Sequence, residues 1–113
     1  MTLSEINTMI ANFGLPYAYH HFTEKTAQAP PFIVFFYPSI NDLYADGINY
    51  QRISELDIEL YTSNKDFVKE EMIESALTNA GFSFYKEENY IESEKIWQIA
   101  YEMDVVITEP VTT

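Results

Sequence analysis

Acidic and aliphatic residues alternate along residues 55–61, which read ELDIELY. Because successive side chains of a strand point to opposite faces, this period of two predicts a strand with one buried face and one wet face. The inner face would carry the aliphatic residues Leu56, Ile58 and Leu60, and the outer face the acidic residues Glu55, Asp57 and Glu59. The pattern therefore predicts a sheet whose outer face is negatively charged.

An amphipathic helix is predicted immediately after this strand. Ser63, with Asp66 three residues later, fits a helix N-cap and its reciprocal partner, and Gly81 fits a left-handed residue that ends the helix. Apolar residues recur about every fourth position between these ends and would form the stripe that covers the sheet. The predicted stripe comprises Val68, Met72, Ile73, Ala76, Leu77 and Ala80, and the predicted solvated face carries Glu70, Glu71 and Glu74.

The remaining patterns predict another helix and further strands. A capping box at Thr2 and Glu5 begins a short helix that Gly14 ends. Strands are predicted at residues 17–22, 32–37, 82–85 and 96–107, and the alternating segment extends to residues 50–61. Residues 38–49 are predicted to form a long projecting loop, and loops of this length usually have a function. Its candidate contact residues are Asn41, Asp42, Leu43, Tyr44 and Asp46.

The resulting order of elements is α-β-β-β-α-β-β. Neighbouring strands joined by short connections favour an α+β fold, with a mainly antiparallel sheet of about five strands and both helices packed on one face. A chain of 113 residues is close to the size of one domain, so we expect a single domain over residues 1–113. Its ordered core would span residues 3–107, and residues 108–113 would form a loose tail.

A second group of acidic residues falls on the last predicted strand. Glu102 and Asp104 alternate there with apolar residues and would share the outer face of the sheet. If this strand lies beside residues 50–61, like charges stand next to each other, which destabilises a sheet. Two interpretations remain open: solvent alone covers this face, or a ring-shaped assembly turns the face inward.

The charge of the chain excludes some functions. The formal net charge is −12, which argues against binding nucleic acid through phosphate neutralisation and against binding an anionic membrane surface. One interpretation of this charge is solubility, and the other is a surface that repels DNA while DNA passes by. The chain has no cysteine, so disulfides and thiol chemistry are excluded. Residues 1–5 show no signal-peptide pattern, and we expect a protein that is made and used in the cytosol.

The chain shows no motif for catalysis. His20 and His21 are adjacent, and neighbouring residues on a strand point to opposite faces, so this pair is not expected to share a metal ion. Asp42 and Asp46 lack the regular spacing and the closing glutamate of a calcium loop. Phosphate-binding glycine loops and nucleophile motifs are also missing. The sequence therefore predicts no catalytic, cofactor or metal residues, and favours a role in binding or assembly.

Several segments carry a resemblance to a known family. They are PFIVF at 31–35 with YADG at 44–47, ELYTSNKD at 59–66, and YIESEK at 90–95 leading into QIAYE at 98–102. In this order they resemble small proteins encoded in the structural gene clusters of tailed phages and prophages of Gram-positive bacteria, between the head genes and the major tail protein gene. The group is similar to tail-completion, tail-terminator or head-to-tail joining proteins, and the resemblance covers residues 3–107.

The resemblance implies an α+β subunit that forms a ring, commonly a hexamer, at the head-proximal end of the tail tube. Such a ring would stop tube growth, offer the head connector a docking surface and let DNA pass through its lumen. It would be assembled in the host cytoplasm and carried in the virion. Its partners would be further copies of itself, the tail tube protein and the head connector.

A different class of function is also compatible with the composition. A chain with a net charge of −12 resembles, in charge alone, a small acidic binding protein such as a DNA-mimic inhibitor of a host nuclease. For either role, the predicted contact residues are the loop residues Asn41, Asp42, Leu43, Tyr44 and Asp46 and the strand residues Glu55, Asp57 and Glu59.

Overall fold

A computed structural model of the protein describes residues 1–23, 28–40, 43–45 and 48–108, with the backbone alone described at 43–45 and 48–51. Within these residues the chain forms two helices and seven strands. In chain order they are α1 (Leu3–Ala11), β1 (Tyr17–Tyr19), β2 (Phe32–Phe36), β3 (Leu43–Ala45), β4 (Ile48–Gln51), β5 (Ile53–Thr62), α2 (Phe67–Asn79), β6 (Phe84–Ile91) and β7 (Ile96–Val106).

Five of the strands form one twisted layer in the order β1-β2-β5-β7-β6. The pairs β2–β5, β5–β7 and β6–β7 are antiparallel, whereas β1 runs parallel to β2. The predicted alternating strand is therefore at the centre of the sheet, and its neighbour is the last predicted strand. Leaving β3 and β4 aside, the element order is α-β-β-β-α-β-β, which confirms the predicted α+β fold class.

Both helices contribute to a single hydrophobic core on one face of the sheet. Ile6 and Ile10 of α1 and Ile73 and Leu77 of α2 are fully buried in the same cluster as the inner residues of the strands. The strand residues of this core are Ile33, Phe35, Leu56, Ile58, Leu60, Ile99, Tyr101, Met103 and Val105. Burying each such side chain stabilises the fold by about 1.5–3 kcal/mol, so the alternating pattern of β5 and β7 dictates which face the helices cover.

The predicted start of α2 is wrong by three residues. Asp66, not Ser63, is the N-cap, because its side chain accepts a hydrogen bond from the backbone N–H of Lys69. The predicted end is confirmed, since Gly81 has a φ of +84°. The N–H groups of Gly81 and Phe82 donate to the carbonyls of Thr78 and Leu77, a Schellman arrangement that needs a left-handed residue.

The predicted apolar stripe of α2 is partly wrong. Val68 is 79% exposed and Met72 is 37% exposed, whereas Ile73 and Leu77 are buried. Residues four apart on a helix turn by about 40° relative to each other, so a stripe counted in steps of four leaves the buried face. Glu70 was predicted on the solvated face, but it is only 2% exposed.

The burial of Glu70 is explained by two lysines. Its carboxylate accepts a hydrogen bond from Lys65 Nζ at 2.6 Å, and its Oε1 lies 2.9 Å from Lys86 Nζ, a contact without hydrogen-bond geometry. Lys86 also pairs with Glu74 at 2.8 Å, and Glu74 accepts a hydrogen bond from the hydroxyl of Tyr101. The Lys86 ion pairs connect α2 to β6, and the Tyr101 hydrogen bond connects it to β7. The two lysines supply the charges that a buried carboxylate requires.

Two strand boundaries and one loop also differ from the prediction. β1 ends at Tyr19, and β6 continues to Ile91 through the polar residues Lys86–Asn89. An edge strand tolerates such residues because neither of its faces has to be fully buried. The predicted projecting loop, residues 38–49, contains β3 and the first half of β4, which pair with each other, and β4 continues to Gln51 into the predicted strand 50–61. None of the described helices combines the length and the apolar character needed to cross a membrane.

Candidate functional site: the acidic face of the sheet

Carboxylates of β5 and β7 lie side by side on the face of the sheet away from the helices. In the antiparallel register Glu55 is opposite Asp104, and Asp57 is opposite Glu102. Directly opposite residues of antiparallel strands have Cβ atoms about 4.5–5.5 Å apart, so these pairs place like charges close together. We call the set Glu55, Asp57, Glu59, Glu102 and Asp104 the acidic face. Glu102 and Asp104 are exposed, and the three residues of β5 are half-buried.

Asp57 is at the most crowded position of the acidic face. Its Oδ1 atom is buried and has no hydrogen-bond partner among the described residues. Burial, followed by a hydrogen bond with the Glu55 side chain and by the negative charges of Glu55, Glu102 and Glu59, raises the pKa of Asp57 to about 7. A carboxyl with this pKa is protonated about half of the time at neutral pH. The centre of the acidic face therefore changes its charge in the physiological pH range.

A chain of hydrogen bonds crosses the sheet at one end of the acidic face. The Tyr61 hydroxyl donates to Glu59 at 3.0 Å and accepts from Gln98 Nε2 at 2.8 Å. Asn89 on β6 donates to Gln98 at 3.4 Å. Burial, together with the charge of Glu59, raises the pKa of Tyr61 to about 12, although the bond from Gln98 opposes this shift. Tyr61 thus stays protonated and acts as a donor that fixes the Glu59 carboxylate.

The ion pairs among the described residues are formed by three lysines on the other side of the sheet. Lys65 pairs with Glu70 and Glu88, Lys86 pairs with Glu70 and Glu74, and Lys69 pairs with Asp66. No described ion pair reaches the acidic face. Within the described residues the two sides of the sheet therefore differ in charge: lysines pair with acids beside α2, while the carboxylates of the acidic face pair with no cation.

A shallow groove of about 350 Å³ runs along the edge of the acidic face. It is lined by Glu55, Glu102 and Asp104 and by the residues at the start of β6, Ser83, Phe84 and Tyr85. Such a surface suits a cationic or hydrogen-bond-donating partner and repels polyanions. In the described part of the chain no group of three or more histidines, aspartates and glutamates is arranged to hold a metal ion.

The structure brings together only some of the predicted contact residues. Glu55, Asp57 and Glu59 share the acidic face as predicted, with Glu102 and Asp104 next to them. Leu43 and Tyr44 lie in β3, whose side chains are outside the description. The other predicted loop residues, Asn41, Asp42 and Asp46, lie outside the described residues. Residues that the sequence analysis missed are Tyr61, Gln98 and Asn89, which the strand register alone brings into one row.

The expectation that His20 and His21 point to opposite faces is wrong. β1 ends at Tyr19, and His20 has a φ of 68°, so the alternation of a strand does not apply to this pair. The Nδ1 atoms of the two rings are 3.0 Å apart. Both rings are exposed at the mouth of a groove of about 310 Å³ that also reaches Glu59 and Tyr61.

Comparison of the sequence with protein-family models and with curated proteins finds no match to either. The geometry of the acidic face and the resemblance of the sequence segments are therefore the grounds for a functional assignment.

Proposed function

We propose that this chain is a non-enzymatic virion assembly protein of a tailed phage or prophage. In this proposal it is a ring-forming tail-completion or tail-terminator subunit at the head–tail junction. The observation that carries the proposal is the acidic face, where carboxylates on two adjacent strands stand in register and no ion pair among the described residues reaches them. The resemblance of residues 3–107 to this group of proteins supplies the biological context.

The acidic face suits the wall of a channel for DNA. Like charges repel over a Debye length of about 8 Å at physiological salt, so DNA would slide past such a wall without adhering to it. Inside a ring the repulsion among carboxylates would be partly relieved by protonation, and Asp57, with a pKa of about 7, is the group that would take up the proton.

The edges of the sheet suit the assembly of a ring. β6 is an edge strand of eight residues, and β1 at the opposite edge has three. In a ring, one surface of each subunit binds a different surface of the next subunit, and two unlike sheet edges can supply these two surfaces. The tail tube and the head connector would then bind the two rims of the ring. The assembly would take place in the host cytoplasm, and the ring would remain in the virion.

The proposal is tested by the state of assembly in the presence of tails. Purified protein is mixed with tail tubes of the parent particle, sedimented, and examined by electron microscopy for density at the head-proximal end. We expect capped tubes and a defined oligomer on the tube. A chain that remains monomeric with tubes present and never caps or joins tails would contradict the proposal.

Charge reversal tests the role of the acidic face. The double variant E102K/D104K changes two exposed residues and should assemble normally but lower infectivity, because DNA would adhere to the channel. The matched control E71K/E92K changes the net charge equally at exposed positions of α2 and of the β6–β7 turn. Equal infectivity of both variants and the wild-type protein would contradict the proposal that the acidic face lines a channel for DNA.

The second candidate function is an acidic inhibitor that mimics DNA, and the same face favours it. Paired carboxylates on neighbouring strands offer a basic nuclease an array of negative charges. Two results would support this function. The protein should bind a basic host enzyme at 0.1 M salt but not at 0.5 M salt. This binding should also be lost in E102K/D104K and kept in E71K/E92K. A protein that neither caps nor joins tails would then agree with the inhibitor function.

A further inference from the structure

A strained turn positions the only two histidines of the chain. The backbone N–H of His21 donates to the carbonyl of Tyr19 at 2.8 Å, which closes a three-residue turn around His20. A turn of this kind with a positive central φ is a rare form of the γ-turn, and His20 has a φ of 68°. A residue other than glycine in this region is strained and is found preferentially at functional sites.

Further contacts hold the first ring in place. The backbone N–H of His20 donates to the carbonyl of Phe35 at 2.8 Å, which ties the turn to β2. The imidazole of His20 contacts the ring of Phe36 in an edge-to-face arrangement, with the centroids 5.6 Å apart. The ring of His21 stands at 86° to that of His20. The turn thus points both imidazoles to one side, although the residues are adjacent in the chain.

We propose that His20 and His21 form a two-nitrogen binding site for a divalent transition-metal ion of the copper or nickel type. Their Nδ1 atoms are 3.0 Å apart. With metal–nitrogen bonds of about 2.05 Å, this separation corresponds to an N–metal–N angle of about 94°. Adjacent positions of a square-planar or octahedral ion subtend about 90°, whereas a tetrahedral zinc site requires about 109°.

The metal-free pair is held by a hydrogen bond between the same two atoms. One Nδ1 must carry a hydrogen and the other must accept it, since the atoms are 3.0 Å apart. In the metal-bound state that hydrogen moves to Nε2, which leaves the lone pairs of both Nδ1 atoms free for the ion. Protons compete for these lone pairs, and binding therefore weakens as the solution becomes acidic.

Solvent and nearby oxygens would complete the coordination. The groove beside the pair is lined by Glu59, Glu94 and Tyr61. No described set of three or more acidic or imidazole groups surrounds a single point, so the protein supplies two nitrogens and water supplies most of the other ligands. Fixing two ligands on one short segment makes the second bond intramolecular, which strengthens binding by about a hundredfold over a single imidazole.

The composition of the chain makes this site easy to test. The chain has two histidines and no cysteine, so every strong nitrogen or sulfur side-chain donor for these ions is at this position. The wild-type protein is titrated with CuCl₂ and with NiCl₂ by calorimetry at neutral pH, and the copper complex is examined by electron paramagnetic resonance. We expect one ion per chain and hyperfine coupling to two imidazole nitrogens.

Three variants serve as controls. In H20N, asparagine is favoured at the positive φ and preserves the turn, and H21Q keeps a polar side chain of similar size. Each is expected to weaken binding by about tenfold or more. The double variant H20N/H21Q measures ions bound by carboxylates and the amino terminus. A double variant that binds as tightly as the wild-type protein, or a spectrum with a single nitrogen, would overturn the proposal.

Discussion

The carboxyl of Asp57 is held among other carboxyls by the register of two strands. Glu55 and Glu59 flank it along β5, and Glu102 lies opposite on β7. Phe36 is its partner on β2, so the residue paired with Asp57 on that side carries no charge. Its pKa of about 7 in the folded state compares with about 3.9 for an unperturbed aspartate. The Asp57 carboxyl therefore binds more protons in the folded protein than in the unfolded chain between about pH 4 and pH 7.

We predict that D57N is more stable than the wild-type protein at pH 8. Because the folded pKa is raised, the contribution of Asp57 to stability is fully present below about pH 4 and is lost as the pH rises through 7. Asparagine does not ionise, so D57N does not lose this stability as the pH rises. The free energy of unfolding of D57N should exceed that of the wild-type protein by about 1 kcal/mol at pH 8, a value reduced by solvent screening. Urea denaturation at pH 4, 6 and 8 measures the difference.

The control for this experiment is D104N, at an exposed position of the same face. It removes one negative charge but no buried carboxyl, and its stability should stay close to that of the wild-type protein at every pH. An equal gain in D57N and D104N would mean that net charge, not crowding, determines stability. A D57N that is less stable at pH 8 would contradict the geometry of the acidic face.

α2 shows why element boundaries are harder to predict than elements. The strand–helix–glycine succession of residues 54–81 was visible in the sequence, and the Gly81 cap was found from residue type alone. The start was misplaced because Ser63 and Asp66 are both good caps, and spacing cannot decide between them. The stripe was misassigned for a different reason: Glu70 is inside because Lys65 and Lys86 approach it from distant parts of the chain. Such long-range charge compensation has no local signal.

We predict that D66A destabilises the protein and S63A does not. Asp66 accepts the backbone N–H of Lys69 and also lies 2.8 Å from its ammonium group, so its removal exposes an unpaired donor at the helix start. Loss of an N-cap costs about 1 kcal/mol. Ser63 is exposed and precedes the helix, so S63A should change the free energy of unfolding by less than about 0.5 kcal/mol. Chemical denaturation of both variants at pH 7 measures the two changes in the free energy of unfolding. A larger loss in S63A than in D66A would mean that Ser63 is the N-cap.

The candidate sites differ in how far the sequence reveals them. The acidic face follows from a period of two in β5 and β7, which any half-buried strand displays. The sequence did not show that these two strands are neighbours, and the strand register does. The geometry of the histidine pair, in contrast, could not be predicted from the sequence. Its geometry depends on the end of β1 at Tyr19 and on one backbone angle at His20, neither of which has a signature in a run of strand-forming residues.

At the scale of the whole molecule, charge is divided between the two sides of the sheet. The helix side contains the ion pairs of Lys65, Lys69 and Lys86, while the acidic face has none among the described residues. With a net charge of −12, the folded state carries more repulsion than an extended chain, in which the same charges are farther apart. Salt screens exposed charges more strongly than partly buried ones, so added salt should weaken the repulsion on the acidic face more than the attraction around Glu70.

We predict that sodium chloride stabilises the protein. Raising the concentration from 0.02 M to 0.3 M should increase Tm by about 3–6 °C, corresponding to roughly 1 kcal/mol for a domain of this size. Scanning calorimetry of the wild-type protein, E102K/D104K and E71K/E92K separates net charge from its location, because both variants change the net charge equally. If the acidic face is the source of the repulsion, the salt effect should shrink mainly in E102K/D104K. A Tm that falls with salt would mean that the ion pairs beside α2 outweigh the repulsion between β5 and β7.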